Sequence, residues 1–278
     1  MDDVAPFGTY APTGFVRWAV ATARRLPDSW AARRLVIVIR RLVAARLRGS
    51  PVDAEALGAR MRLHPYNNVC EKRMLFMPST FDPRELELLS DRLRPGFIFI
   101  DVGANVGAYS LFVASRAGPS ARILAIEPQP RIFDRLIQNI RLNAFANIKA
   151  IDCALADKPG DLTLFVDGRN SGESSVKIVA AGNASPIRVT ARTLLDVALE
   201  EGFPRIDAAK LDVEGAEDLV LGPFLAEAPE RLHPALLVIE NGDGRWQADL
   251  PGLLRGSGYR EIARTRLNLV FEKAGRTG

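Results

Sequence analysis

Histidine and cysteine are scarce in this chain, with two of each in 278 residues. Cys70 and Cys153 show no metal-like spacing, and no further cysteines exist to build a disulfide framework. The plain reading is a reducing cytoplasm with two free structural thiols. No apolar run approaches a membrane span. The opening MDDVAPFG has no basic segment followed by an apolar one, so no secretory leader is expected. Internal repeats and low-complexity tracts are also missing. What is left is ordinary globular material, 47% hydrophobic and 25% charged, enough for one sizeable core and a modest appendage.

Positive charge is unevenly placed. Residues 1–48 hold nine arginines against three aspartates, a net of +6; the whole chain is +4, so residues 49–278 carry −2. Trp30 to Arg48 reads as an amphipathic helix. Arg33, Arg34, Arg40, Arg41 and Arg48 fall on one side, with Leu35, Val36, Ile39, Leu42, Val43 and Leu47 opposite. Such a helix docks on its own domain, binds a partner, or lies on an anionic membrane at its inner face. Nucleic acid is disfavoured, because the arginines lack interleaved aromatics and the body is slightly acidic.

The stretch FIFIDVGANVGAYSLF (97–112) carries the strongest signal. An apolar strand ends on Asp101, a glycine-bearing turn follows, and a helical pattern resumes at Leu111, the layout of a nucleotide-type cofactor site. Gly103 and Gly107 permit a sharp turn, and Asn105 is one of the few other residues that enters the left-handed region cheaply. NAD(H) and S-adenosylmethionine both suit such a loop. A carboxylate at Asp101 is unfavourable beside a pyrophosphate and favourable beside the cationic amino-acid end of S-adenosylmethionine, so the loop leans to the latter. Glu127 closes the next strand, placed to accept bonds from two ribose hydroxyls.

From Phe97 onward strands and helices alternate: strands 97–102, 122–127, 148–153, 207–213 and 235–240, with helices 108–116, 130–143, 192–202, 215–226 and 247–256. Two β segments, 161–167 and 187–191, flank the Gly/Ser/Asn-rich piece 168–175 and suggest an inserted hairpin. Strands 259–264 and 267–273 are joined too tightly for anything but an antiparallel hairpin. The expected fold is α/β: a seven-stranded mixed sheet with helices on both faces and a terminal antiparallel hairpin. Upstream, residues 1–69 form a basic, mainly helical extension to a domain spanning 70–278. Arg73 to Met77 reads as a strand, and Asp82 as the N-cap of a helix over 83–93.

IDVGANVGAYSL (100–111), AIEPQP (125–130), ALADKPG (154–160), KLDVEGAE (210–217) and LLVIEN (236–241) together resemble the FkbM-type family of S-adenosylmethionine-dependent methyltransferases, over about residues 70–273. The resemblance implies a class I methyltransferase (Rossmann-like) fold and O-methylation of a hydroxyl on a sugar, glycan or other natural product. It also implies that Asp101, Gly103, Asn105, Gly107 and Glu127 line the cofactor.

Methyl transfer to oxygen needs alignment of the nucleophile and removal of its proton. Asp212 at a strand tip, Glu214 beyond it and Glu240 at the next tip are the catalytic candidates. Glu217 reads as a helix-capping residue. Asp212, Glu240 and Asn241 also form an oxygen-rich set of the kind that holds Mg²⁺, but the reading assigns no metal. His64 lies in the lead-in and is a possible base, whereas His233, before Pro234 at a strand entry, reads as surface structure. No Asn/Asp-Pro-Pro-aromatic tetrad follows the fourth core strand, and neither cysteine sits in a Pro-Cys turn suited to attacking a pyrimidine. Two alternatives stay open: a non-catalytic cofactor-binding module acting through its N-terminal helix, and a nicotinamide-dependent oxidoreductase.

Overall fold

The computed structural model describes residues 5–167, 174–175, 184–242 and 244–275. Its N-terminal part contains α1 (Gly14–Arg25), α2 (Trp30–Leu47), the strands β1 (Val52–Ala56) and β2 (Ala59–Leu63), α3 (Val69–Phe76) and α4 (Pro83–Ser90). The alternating part follows as β3 (Ile98–Val102), α5 (Ala108–Ala117), β4 (Arg122–Ile126), α6 (Pro130–Arg141) and β5 (Ile148–Ile151). Then come β6 (Ala154–Leu155), β7 (Gly160–Asp167), β8 (Ser174–Ser175), β9 (Ala184–Arg192) and α7 (Leu194–Glu200). The chain closes with β10 (Ala208–Leu211), α8 (Glu217–Glu227), β11 (Leu236–Glu240), α9 (Leu250–Gly256), β12 (Tyr259–Arg264) and β13 (Asn268–Lys273).

Seven strands form the main sheet in the order β12-β13-β11-β10-β3-β4-β5. The five from β11 to β5 are parallel, and β13 pairs antiparallel with both β11 and β12. This is the expected α/β Rossmann-like sheet with its closing hairpin. Strand order reverses at β3, flanked by β4 and β10, and ligands bind outside the C-terminal ends of strands at such a switch point.

The inward alternation of β3 decides what covers each face. Ile98, Ile100 and Val102 meet Val197, Val220, Leu221, Phe224 and Leu254 from α7, α8 and α9. Phe97 and Phe99 belong to the opposite cluster, with Leu111 and Val113 of α5. That second cluster continues without a break into Val16 and Val20 of α1, Val36, Ile39 and Val43 of α2, and Met61 and Leu63 of β2. The N-terminal residues are therefore part of the same core. Arg62, 2% exposed, is held by Asp53 at 2.7 Å. Asp53 in turn accepts from the Gly8 and Tyr10 amides at 2.8 and 3.1 Å.

Helix α6 fixes this region. Asn139 Oδ1 accepts from the Arg62 amide at 2.7 Å, and Asn143 Oδ1, one turn on, accepts from the Arg60 amide at 2.9 Å. The outer edge of β2 is thus satisfied by side chains of α6 and of the turn that ends it rather than by another strand. Arg135 of α6 also meets buried Glu71 of α3 at 2.6 Å.

Some elements differ from the sequence expectation. Arg73 to Met77 is not a strand; most of it is the second half of α3, capped by Asn68, whose Oδ1 accepts from the Glu71 amide. A four-residue apolar run has no period of its own, and the cap decides. Asp82 does stand at the N-cap of α4, but its carboxylate makes no cap bond and reaches Arg73 and Tyr109 instead. His233 is not on the surface: it is 7% exposed, packed on Phe224, with Nε2 3.2 Å from Ala228 O. Leu35 and Leu42 of α2 point outward, while Ala32, Val36, Ile39 and Val43 form the buried stripe. The inserted hairpin exists as β7 paired antiparallel with β9, joined by β6 and β8. Of the 168–175 piece, only Ser174 and Ser175 lie within the described residues.

Candidate active site

The turn after β3 is built from residues that tolerate positive φ: Gly103 (+70°), Asn105 (+52°) and Gly107 (+91°). At Gly103 the reason is also steric. A Cβ there would lie 2.0 Å from the carbonyl oxygen of Asp212, so only glycine lets the turn press against the tip of β10. Asn105 Oδ1 accepts from its neighbour Val106 N at 2.9 Å and from Asn68 Nδ2 at 2.8 Å, which ties the turn to the cap of α3.

Glu127, 7% exposed, follows β4 and completes the turn from the other side. Its Oε2 accepts from the Asn105 amide and its Oε1 from the Gln129 amide, both at 2.9 Å. Burial pushes this carboxyl up to about 7 despite those two bonds. Gly103, Asn105, Glu127, Asp212 and Glu214 line one cleft of about 670 Å³, with Val102, Ile126 and Leu155 as apolar walls and Cys153 among the lining residues. The inserted sheet reaches this cleft through Leu155 of β6 and Leu164 of β7.

Asp101 stands one layer behind. It is 1% exposed, and its Oδ2 accepts from Ser110 N at 3.0 Å and Ser110 Oγ at 2.6 Å, anchoring the first turn of α5. Its Oδ1 is buried with no partner among the described residues. Neither Asp101 nor Gly107 is among the residues lining the cleft; a Cβ on Gly107 would meet Leu136 at 2.8 Å.

A second chamber of about 620 Å³ lies beside the first, and Asn105 and Asp212 line both. Its other walls include Cys70, Arg73, Asp82, Tyr109, Lys210 and Glu240. Lys210, 6% exposed, donates to Asp212 Oδ2 at 3.0 Å and to Gly103 O at 3.1 Å. Burial works against its charge, yet Asp212 and Asp101 outweigh it and hold the ammonium above its ordinary range. Glu240 is pushed up to about 7 by burial and by Asp212, against the pull of Arg245. Its Oε2 is buried with no partner among the described residues, while Oε1 meets Arg245 at 2.9 Å. Arg245 also meets Glu214 Oε2 at 3.3 Å, so one guanidinium bridges two of the candidate carboxylates.

Glu217 closes the turn after Asp212, accepting from Val213 N at 2.9 Å, Gly215 N at 3.2 Å and Trp246 Nε1 at 2.7 Å. His64 lines neither chamber, and burial beside Arg135, Arg62 and Arg131 lowers it to about 4. Among the described residues, no group of three His, Cys, Asp or Glu is placed to hold a metal ion. Sequence reasoning passed over Lys210, Tyr109 and Arg245. Lys210 alone carried a signal, a charge inside the otherwise apolar central strand Ala208–Leu211.

The sequence model of the methyltransferase FkbM domain family matches residues 101–273, well over half of the chain, and takes in every residue named for the first cleft. The chain belongs to this family. The matched model is that of a methyltransferase domain, and the cofactor it implies is S-adenosylmethionine. The chain is 28% identical over 199 residues to the 31-O-demethyl-FK506 methyltransferase FkbM of Streptomyces tacrolimicus, covering 62% of this chain and 75% of that one. It is 35% identical over 151 residues to methyltransferase sdnD of Sordaria araneosa, covering 44% of this chain. With the hexuronic acid methyltransferase AglP of Haloferax volcanii it shares 28% identity over 138 residues. The matched segments span 58% of sdnD and 53% of AglP, little more than half of either protein. The fold superposes on the METTL16 methyltransferase domain with a TM-score of 0.50 at 16% identity, covering 94% of this chain and 91% of that one.

Proposed function

We propose that this FkbM-family enzyme methylates a hydroxyl oxygen on a sugar, glycan or other natural-product acceptor. The observation that carries the reading is the shared wall. Asp212 lines the cleft beneath the glycine turn and the neighbouring chamber at once, so a group in one can meet a group in the other.

The residues of the first cleft fit S-adenosylmethionine, which when bound supplies a methyl group on a sulfonium already activated for displacement. Each Glu127 oxygen uses one acceptor position on a backbone amide and has a second for a ribose hydroxyl. Asp101 acts from behind, fixing α5 through Ser110 and adding negative charge beside Lys210.

In the second chamber Lys210 holds Asp212 in one orientation, and that carboxylate positions the acceptor hydroxyl. Glu240, with an unpartnered oxygen and a carboxyl near 7, is suited to take the hydroxyl proton at neutral pH. Glu214 steadies Arg245, which in turn keeps Glu240 in place. Asp212→Asn and Glu240→Gln are each expected to lower turnover by about 10²–10⁴-fold on a hydroxylated acceptor, with S-adenosylhomocysteine affinity unchanged. Full turnover in either variant, measured as S-adenosylhomocysteine release, would refute that residue's role.

Among the described residues no helix is long and apolar enough to cross a membrane. Contact with an anionic membrane surface is part of the same proposal. Trp30, Leu35, Val38 and Leu42 of α2 and Trp18 of α1 are exposed, Trp30 at 74%, and Arg34 and Arg41 are exposed on the same helix. Apolar side chains beside arginines are what an interfacial helix presents, at about 1 kcal/mol per arginine near anionic lipid. Co-sedimentation with phosphatidylglycerol vesicles and not with neutral ones is the expected result; equal indifference to both refutes the contact.

A further inference from the structure

The second chamber adjoins a broad groove of about 1820 Å³, and Val69, Arg73, Asp82 and Leu267 line both. One wall of the groove is α2, through Val36, Ile37 and Arg40; the other is the segment after β12, through Arg266 and Leu267. Ile37, Val69 and Leu267 are all more than 40% exposed, so the groove is apolar where it meets solvent.

Its charges do not cancel. Of the guanidiniums that line it, Arg33 is paired with Asp28, Arg73 with Asp82 and Arg84 with Glu87. Glu85, the remaining acid on the wall, is 1% exposed and turned to Thr265 Oγ1 at 2.6 Å and Asn268 Nδ2 at 2.9 Å. Arg40 and Arg266 have no carboxylate among the described residues. Arg40 is half-buried over the Phe76 ring, and its Nε is fully buried with no acceptor. Arg40 still lines the groove, and a guanidinium fork is shaped for phosphate or carboxylate.

We infer that this groove is a binding subsite for an anionic amphiphile, the acceptor's phosphate or carboxylate meeting Arg40 while its apolar stem lies along Ile37 and Leu267. The assignment rests on the acceptor reading above, because the groove shares a wall with the chamber where Asp212 and Glu240 stand. It adds the chemical class of the acceptor: a hydroxylated head, an anionic group and an apolar tail. The exposed face of α2 and its groove face belong to one helix, so an acceptor held at an anionic membrane would enter beside the surface that holds the enzyme there.

The probe is octyl phosphate below its micelle concentration, titrated calorimetrically into full-length protein saturated with S-adenosylhomocysteine. Octyl glucoside and inorganic phosphate serve as the uncharged and tail-less arms. Octyl phosphate is expected to bind saturably and more tightly than either. Arg40→Gln should weaken it about tenfold or more, the scale of a lost charge-assisted bond, and Arg266→Gln should weaken it less. Arg255→Gln, on α9 and outside the groove, should leave it unchanged. Retained binding in Arg40→Gln, equal loss in Arg255→Gln, or octyl glucoside binding as tightly as octyl phosphate would each overturn the subsite. Circular dichroism and S-adenosylhomocysteine affinity of Arg40→Gln separate a lost subsite from a lost fold. Turnover of neutral hydroxylated acceptors without octyl phosphate binding would refute the groove and spare the methyl-transfer reading. Octyl phosphate binding with no turnover of any hydroxylated acceptor would do the reverse.

Discussion

The role proposed for Glu127 makes cofactor affinity depend on pH in a direction that can be worked out in advance. A hydroxyl donating to this carboxylate needs it ionised, yet burial holds the unliganded carboxyl near 7, with Lys210 opposing and Asp212 adding to the rise. Binding therefore has to displace a proton whenever the group starts protonated. The apparent dissociation constant scales inversely with the fraction ionised, so affinity for S-adenosylhomocysteine should rise about tenfold between pH 6 and pH 8. Up to about one proton should be released per ligand at the acid end. Calorimetry in two buffers of different ionisation enthalpy counts that proton directly. Glu127→Gln should abolish most of the slope, since an amide does not titrate in this range. It should also weaken binding at pH 8 by about 1.5–3 kcal/mol, the worth of a charged acceptor. Its NH₂ must face the amide of either Asn105 or Gln129, donor against donor, so one of the two turn bonds is lost in either rotamer. A pH slope that survives in Glu127→Gln would belong to another group, Glu240 being the nearest in titration range. A flat profile in the unmodified protein, with no proton release, would refute the reasoning.

Three more perturbations test the frame around the site. Gly103→Ala would drive a Cβ to 2.0 Å from the Asp212 carbonyl at a φ of +70°, a combined cost of about 2–5 kcal/mol, read as a lowered Tm and lost S-adenosylhomocysteine binding. Arg62→Met leaves the buried Asp53 carboxylate without its counter-charge and should cost about 3–5 kcal/mol in urea unfolding; a loss under 1 kcal/mol would mean that the Gly8 and Tyr10 amides suffice. Deleting residues 1–48 removes Val16, Val20, Val36, Ile39 and Val43 from the core, on the order of 10 kcal/mol of burial. The truncated chain should be insoluble, and a soluble, cofactor-binding product would show the extension to be a separable unit.

The sequence was most legible where backbone chemistry is strict. Asp101 to Gly107 announces its turn because positive φ and close approach admit few residue types, and the same strictness makes the tight β12–β13 connection readable. It was least legible where a short segment takes its identity from what it touches. The β1–β2 hairpin turns at Leu57 and Gly58, with φ of +53° and +88°, and a leucine in that position hides a turn that Asn-Gly would have advertised. The residues Met74, Leu75 and Phe76 carry no period, so only the Asn68 cap reveals a helix there. In α2 the apolar positions outnumber what one stripe can bury, and periodicity alone could not say that Val36 and Val43 go inward while Leu35 and Leu42 stay out. Glu127 and Asp212 could be singled out as candidates because strand tips at a switch point are informative by position, and both line the first cleft. Lys210 and Arg40 escaped because their significance lies in partners contributed, or withheld, by distant parts of the chain.

Helix α6 carries a consequence for how this protein tolerates change. Arg135, Asn139 and Asn143 reach, one turn apart, to α3 and to the two amides on the edge of β2, and Asn139 Nδ2 also holds the Val106 carbonyl behind the cofactor turn at 3.0 Å. One added or deleted residue between 130 and 139 rotates everything downstream by about 100° and shifts it by about 1.5 Å. Asn139 and Asn143 would then miss β2 together, and the turn would lose its rear support in the same step. Point substitutions at these positions can fail one bond at a time, but a change of length fails them all. The spacing of α6, more than the identity of most of its residues, is therefore what inheritance has to preserve, and a library of single-residue insertions across 130–143 should show an abrupt gap there.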